Sequence, residues 1–189
     1  MLRTHVRLTR CHAGSIAIKR STRRIASGRL RSIARNLLDA STLCAIATVA
    51  PGGRAYVNTA YFAWSETFDV VWLSHPAARH SRNIDANRSA AVAVFDSTQT
   101  WGHPDRGIQL FGSARPAVRR ARRMAEAVYA DRFPDYSRNE LSAYGLYVLR
   151  PRQLKLFDER ALGAGLFVTA RVERGGLEWQ RTDVYRAAD

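Results

Sequence analysis

The sequence predicts a mainly β protein, an antiparallel barrel with added helices. Six or more short apolar segments have the length of strands, and several of them adjoin residues that are typical of tight turns. Two or three further segments have helical spacing of their apolar residues. Strands and helices do not alternate regularly, and no glycine-rich turn joins a strand to a helix. These observations favour an antiparallel barrel over a doubly wound parallel sheet.

The clearest predicted hairpin joins strands over residues 43–49 and 55–64, because Pro51-Gly52-Gly53-Arg54 between them has the composition of a turn. Further strands are expected at 68–73, 90–95, 107–114, 144–157 with an interruption at Pro151, 167–172 and 177–180. Helices are expected at 32–39, 77–86 and 119–129. The second helix is expected to have Ser74 or His75 at its cap and Pro76 near its first position.

The first 38 residues contain ten Arg or Lys and no acidic residue, whereas residues 39–189 contain 20 basic and 16 acidic residues. We therefore expect two parts, a basic and disordered arm over residues 1–31 and one domain over residues 32–189. An extension from a wrongly assigned start codon is an alternative interpretation of the arm, and a transit peptide is a less favoured one. Because most of the positive charge lies in this arm, nucleic acid is not the expected partner.

The apolar segments are too short to cross a bilayer as helices. Cys11 and Cys44 have neither the spacing of metal ligands nor that of a disulfide framework, which favours a reducing, cytoplasmic location. Cys44 lies within an apolar strand and is expected to be a small core residue.

The segment 70–84 carries the strongest chemical signal, because a predicted strand leads directly into the first turn of a helix. Backbone N–H groups at a helix start attract anions, and arginine and serine side chains add donors suited to phosphate. An exposed amphipathic helix is the alternative interpretation. The polar residues around this turn are Ser74, His75, Arg79, His80, Ser81 and Arg82.

Three segments in this order, ATVAPGGRAYVNTAYFAW, VVWLSHPAARHSRNIDANRSAAVAVFD and RGIQLFGSARP, resemble the pyridoxamine 5′-phosphate oxidase-like superfamily of flavin-binding proteins. The resemblance covers residues 37 to about 116. It implies a six-stranded antiparallel split β-barrel of the FMN-binding type, which works as a homodimer with the flavin between the two barrels.

The resemblance also implies site residues. It places the FMN phosphate at Ser74, Arg79 and His80 with Ser81 beside them, although His80 stands where the family has lysine. It places the flavin ring along Asn58, Thr59, Ala60 and Tyr61, with Gln109 as a further contact. Trp101, in the loop 98–105, is a candidate for stacking on the ring or covering it. Ordinary strand or loop roles for Asn58, Thr59, Gln109 and Trp101 remain open alternatives.

The expected activity is that of an FMN-dependent oxidoreductase with a small-molecule substrate that the sequence does not identify. The C-terminal substrate-binding pattern of the oxidases is absent, which argues against pyridoxamine phosphate as that substrate. A deazaflavin-dependent reductase and a non-catalytic flavin- or haem-binding protein are the alternatives. The homodimer has independent support from the aromatic residues on neighbouring strands, Tyr61, Phe62, Trp64 and Trp72, which exceed what one small barrel readily encloses.

Overall fold

The computed structural model describes residues 16–136 and 141–187, which form nine strands and four helices. The strands are β1 (Ile16–Ser21), β2 (Leu43–Val49), β3 (Ala55–Trp64), β4 (Val70–Ser74), β5 (Ser89–Phe95), β6 (Arg106–Pro116), β7 (Gly145–Asp158), β8 (Leu166–Glu173) and β9 (Gly176–Ala187). The helices are α1 (Ser27–Asp39), α2 (Arg79–Ala86), α3 (Arg119–Arg132) and α4 (Glu159–Leu162). In these residues no helix is long and apolar enough to cross a membrane.

Strands β2 to β7 form a six-stranded antiparallel barrel in the order β7-β4-β3-β2-β5-β6. The pairing of β6 with β7 closes the barrel. The fold class predicted from the sequence is therefore confirmed. The predicted hairpin of β2 and β3 is also present, with Val49 paired to Ala55 across the turn. Alternate residues of the strands fill the interior, where Ile46, Phe62 and Leu110 are fully buried.

Strand β7 is long enough to belong to two parts of the sheet. One stretch closes the barrel between β4 and β6, and the segment 153–157 also pairs with β8, which leads through β9 to β1. The predicted interruption at Pro151 is instead a β-bulge within a continuous strand. Gly112 pairs with Pro151 and Phe111 with Gln153, which leaves Arg152 without a partner in the ladder.

The boundary expected at residue 32 is wrong for the described part of the arm. Strand β1 pairs with β9, and α1 begins at Ser27. Leu30 is fully buried in the main core, and Arg23 donates to the carbonyl oxygen of Leu162 at 2.7 Å. Burial of Leu30 and these long-range contacts offset the entropy of ordering residues 16–31. Residues 1–15 lie outside the described part of the chain.

The approach to α2 also differs from the expectation. The helix begins at Arg79 with Ala78 as its N-cap, and no side chain caps it. His75 and Pro76 form a separate turn, which is closed by the Ala78 amide donating to the His75 carbonyl oxygen at 2.9 Å. The first turn of α2 therefore keeps its amide groups available.

Candidate functional site

The start of α2 presents unpaired amide groups next to the end of β4. The first amide of the helix with a backbone partner is that of Arg82, which donates to Ala78 at 3.1 Å. The amides of Arg79, His80 and Ser81 have no hydrogen-bond partner among the described residues. Such amides, together with the helix dipole, form an anion-binding position.

Three side chains converge beside these amides. The Ser74 hydroxyl lies 2.6 Å from His80 Nε2 and 2.8 Å from the Ser81 hydroxyl. Ser74 and Ser81 are buried, whereas His80 is half-buried. Ser74 is the last residue of β4 and the other two are in the first turn of α2, so the strand-to-helix connection brings them together. The sequence-based grouping of these three residues agrees with this geometry.

Burial lowers the pKa of His80 below its ordinary value. The imidazole is therefore neutral near pH 7 and accepts or donates one hydrogen bond at each nitrogen. A phosphate beside it would favour the charged form and raise that pKa again. A lysine would instead carry a permanent charge, so this position responds to pH in a way that lysine would not.

Arg79 points to Tyr56 on β3. Its guanidinium carbon lies 5.1 Å from the centre of the Tyr56 ring, and Nη1 lies 3.3 Å from the hydroxyl oxygen. No carboxylate forms an ion pair with Arg79 among the described residues. Its charge is therefore available to an anion at the helix start. The sequence did not indicate Tyr56, because its contact with Arg79 joins β3 to α2 over 23 positions of the chain and leaves no local signal.

The four residues expected along the flavin ring divide between two faces of β3. Asn58 and Ala60 face the interior, whereas Thr59 and Tyr61 face outward. The Asn58 side-chain oxygen is buried and has no hydrogen-bond partner. A buried acceptor without a donor is costly, and a ligand or a second chain can supply that donor.

The outward residues belong to a broad uncharged surface on β3, β2, β5 and β6, which we call the outer face. Val57 is 69% exposed and Tyr61 is 58% exposed. Gln109 lies in the same row, because it pairs with Ala93, which pairs with Ala45, which pairs with Thr59. The outer face consists of Leu43, Ala45, Ala47, Val57, Thr59, Tyr61, Ala91, Ala93, Gln109 and Phe111.

Trp101 lies in a different loop from the residues around the start of α2. It is fully exposed in the loop that follows β5, whereas α2 leads into the opposite end of that strand. The strand between this loop and the end of α2 has seven residues and is about 20 Å long. One chain thus brings together Ser74, His80 and Ser81, but it does not bring Trp101 or the outer face to them.

The described side chains do not support a metal site or a cysteine nucleophile. Within residues 16–136 and 141–187, His, Cys, Asp and Glu form no group of three or more that could hold a metal ion. Cys44 is buried, and burial raises the pKa of its thiol to about 12. It is therefore a core residue rather than a nucleophile.

The closed six-stranded antiparallel barrel is that of the split-barrel proteins. The sequence profile of the pyridoxamine 5′-phosphate oxidase family matches residues 31–158. The chain belongs to this family. No curated protein matches the chain over its sequence.

Solved structures with the same fold have names that give them different roles, as heme proteins or as a putative oxidase. A heme storage protein from Vibrio cholerae is 20% identical, with a TM-score of 0.56, and the match covers 66% of this chain and 92% of that one. A heme-binding protein from Mycobacterium smegmatis is 15% identical, with a TM-score of 0.53 and coverage of 89% and 91%. A putative pyridoxamine 5′-phosphate oxidase from Listeria innocua is 12% identical, with a TM-score of 0.56 and coverage of 71% and 99%. At these identities the likeness concerns the fold alone.

Proposed function

We propose that this protein is an FMN-dependent oxidoreductase that holds the FMN phosphate at the start of α2. The observation that carries the proposal is the group of three unpaired amides beside the Ser74, His80 and Ser81 side chains. Arg79 adds a positive charge with no carboxylate partner in the described chain. Together these donors suit a phosphate dianion better than they suit a neutral ligand.

The flavin ring is proposed to lie along β3. The unpaired Asn58 oxygen supports this position, because a ring N–H group is the kind of donor it lacks. Thr59, Tyr61 and Gln109 would take part where a second chain covers the outer face, and Trp101 would then be a further contact. The bound flavin would supply hydride transfer, while these residues bind it, orient it and exclude water.

The absorption spectrum of the protein tests the cofactor, and a comparison of its affinities for FMN and riboflavin tests the phosphate site. The protein as purified should show the absorption bands of a flavin, and the flavin-depleted protein should bind FMN more tightly than riboflavin, which lacks the phosphate. Equal affinities for FMN and riboflavin would contradict the phosphate site. A deazaflavin or a haem spectrum would instead support the corresponding alternative.

We further propose that the outer face joins two copies of the chain. It is uncharged and mostly apolar and extends across four strands, which is typical of surfaces that bind another protein. Val57→Lys should convert the dimer to a monomer in sedimentation experiments. Val118→Lys is the matched control, because Val118 is 64% exposed outside the outer face. A wild-type monomer that retains full flavin would contradict the shared site.

A further inference from the structure

Four arginines surround a cavity away from the α2 site. The cavity has a volume of about 230 Å³. It is lined by Arg88, Ser113, Arg115, Arg150, Pro151 and Arg152. These residues are scattered over more than sixty positions, so no local pattern in the sequence marks them as a group. We call this feature the arginine cavity.

The sheet holds the arginine cavity in place at three adjacent strands. Arg88 precedes β5, and its carbonyl oxygen accepts from the Ala114 amide of β6 at 2.8 Å. Ser113 of β6 pairs with Arg150 of β7. The bulge in β7 leaves Arg152 outside the ladder, beside the same strand pair.

The bulge itself depends on a close approach of two backbones. A Cβ atom at Gly112 would lie 2.0 Å from the Arg150 carbonyl oxygen. Only glycine permits this contact, and Pro151 opposite it is buried. The position of Arg150 and Arg152 is therefore set by packed backbone rather than by a loose loop.

The charge of the arginine cavity is largely uncompensated. Arg150 forms a long ion pair with Asp69, with 3.6 Å between Nε and Oδ2. Arg88, Arg115 and Arg152 form no ion pair with any described residue. Four like charges repel one another, and an anion would offset that repulsion.

We propose that the arginine cavity is a second anion site, which binds the phosphate or diphosphate group of a ligand. Arginine presents a planar fork of donors that matches phosphate oxygens, and the Ser113 hydroxyl can add one more donor. The volume is below the roughly 300–1,000 Å³ of sites that enclose a whole small molecule. The cavity therefore takes a charged group, and the rest of the ligand extends over the surface.

This site is separate from the phosphate position proposed at α2. Its residues come from the strand pairs β5–β6 and β6–β7, and none of them is in the first turn of α2. A ligand with its own phosphate group, such as a substrate or an electron donor, has a place to bind while the flavin phosphate occupies α2. The phosphate backbone of a nucleic acid offers the same chemistry.

Calorimetric titration of the full-length protein with sodium pyrophosphate tests the proposal. The ionic strength is held constant, and each titration is run with and without saturating FMN. With saturating FMN we expect one saturable site per chain, the arginine cavity, whereas without FMN the α2 site should bind pyrophosphate as well. Loss of all pyrophosphate binding at saturating FMN would overturn the proposal, since the arginines would then belong to the flavin site. If FMN does not bind at all, the proposed function fails while the pyrophosphate titration still decides this inference.

Variants identify the residues involved. The double substitution Arg88→Gln and Arg152→Gln should weaken pyrophosphate binding by at least about tenfold, because it removes two charge-assisted contacts. Arg123→Gln removes an exposed charge on α3, outside the cavity lining, and should change the affinity less than about twofold. Equal losses in both variants, with unchanged melting temperatures, would show nonspecific charge attraction and overturn the proposal.

A third titration identifies the source of the phosphate. A short single-stranded oligonucleotide should compete poorly with pyrophosphate if the ligand is a small molecule. If the oligonucleotide binds more tightly, with a steep salt dependence that the double variant reduces, the cavity binds a nucleic-acid backbone. Failure of both probes to bind saturably would refute the arginine cavity as an anion site.

Discussion

Replacement of Arg79 by glutamine tests the α2 site most directly. In the absence of ligand the guanidinium makes a hydrogen bond and a cation–π contact with Tyr56, at 3.3 Å from the hydroxyl and 5.1 Å from the ring centre. An exposed cation–π contact contributes about 0.5–1 kcal/mol, so the variant should fold with at most a small loss of stability. The loss of a charge-assisted contact to phosphate should weaken FMN binding by about 1.5–3 kcal/mol. That range corresponds to an increase in Kd of about 10- to 150-fold.

Quenching of flavin fluorescence during titration measures this Kd. Riboflavin has no phosphate, so its affinity should be the same in wild type and Arg79→Gln. The FMN affinity of Arg79→Lys should lie between those of wild type and Arg79→Gln, because lysine keeps the charge but lacks the planar fork of donors. Arg123→Gln is the matched control for a general loss of positive charge. An unchanged FMN affinity, or an equal loss for riboflavin, would refute the assignment of Arg79 to the phosphate.

Three further predictions concern His80, Leu30 and Gly112. FMN binding by wild type should strengthen relative to His80→Gln as the pH falls from about 8 to about 6, because protonation of His80 adds a charge beside the phosphate. Without flavin, the stability of the fold depends on pH in the opposite direction. Because the pKa of His80 is lowered in the folded state, its contribution to the free energy of unfolding is present above the ordinary His pKa and is lost as the pH falls. Urea unfolding of wild type and His80→Gln measures this difference. Leu30→Ala should lower the free energy of unfolding by about 2–5 kcal/mol in the same assay, because the side chain is fully buried. Ile18→Ala is the control and should cost far less, because its side chain is 61% exposed. Equal losses in the two variants would mean that the segment before residue 32 does not pack on the core. Gly112→Ala should lower the free energy of unfolding by about 1–3 kcal/mol or more, because its Cβ meets the Arg150 carbonyl oxygen. Gly28→Ala is the control that should not destabilise, because a Cβ there meets no atom within 4 Å apart from its chain neighbours and the backbone of its own helix.

The barrel could be predicted from the sequence because its signals are local. The Pro51-Gly52-Gly53-Arg54 turn fixes the hairpin of β2 and β3. The buried side of β2 has no such signal, because the strand is apolar on both sides and its one polar residue, Thr48, is buried. The grouping of Ser74 with His80 could be predicted for the same reason, since a strand end and a helix start adjoin in the chain. Local order along the sequence was sufficient in both cases.

Long-range features could not be predicted in this way. Strand β1 is short and basic, and it forms only because β9 offers a free edge at the other end of the chain. The contact of Arg79 with Tyr56 and the gathering of Arg88 with Arg152 depend on strand register. The bulge at Gly112 depends on a backbone approach that no residue pattern announces. Each feature requires the closed sheet before its residues meet.

The pairing of β1 with β9 has a consequence for biosynthesis. Ile16 and its partner Ala187 are about 170 positions apart in the chain, so β1 is made well before β9. At about 5–20 residues per second, the nascent β1 segment waits roughly 8–30 s for β9. An unpaired strand is a template for association with other chains, and charged side chains reduce that hazard. Lys19 and Arg20 are exposed on this strand. Their positive charges would keep the early segment soluble on the ribosome until the last strand of the sheet arrives.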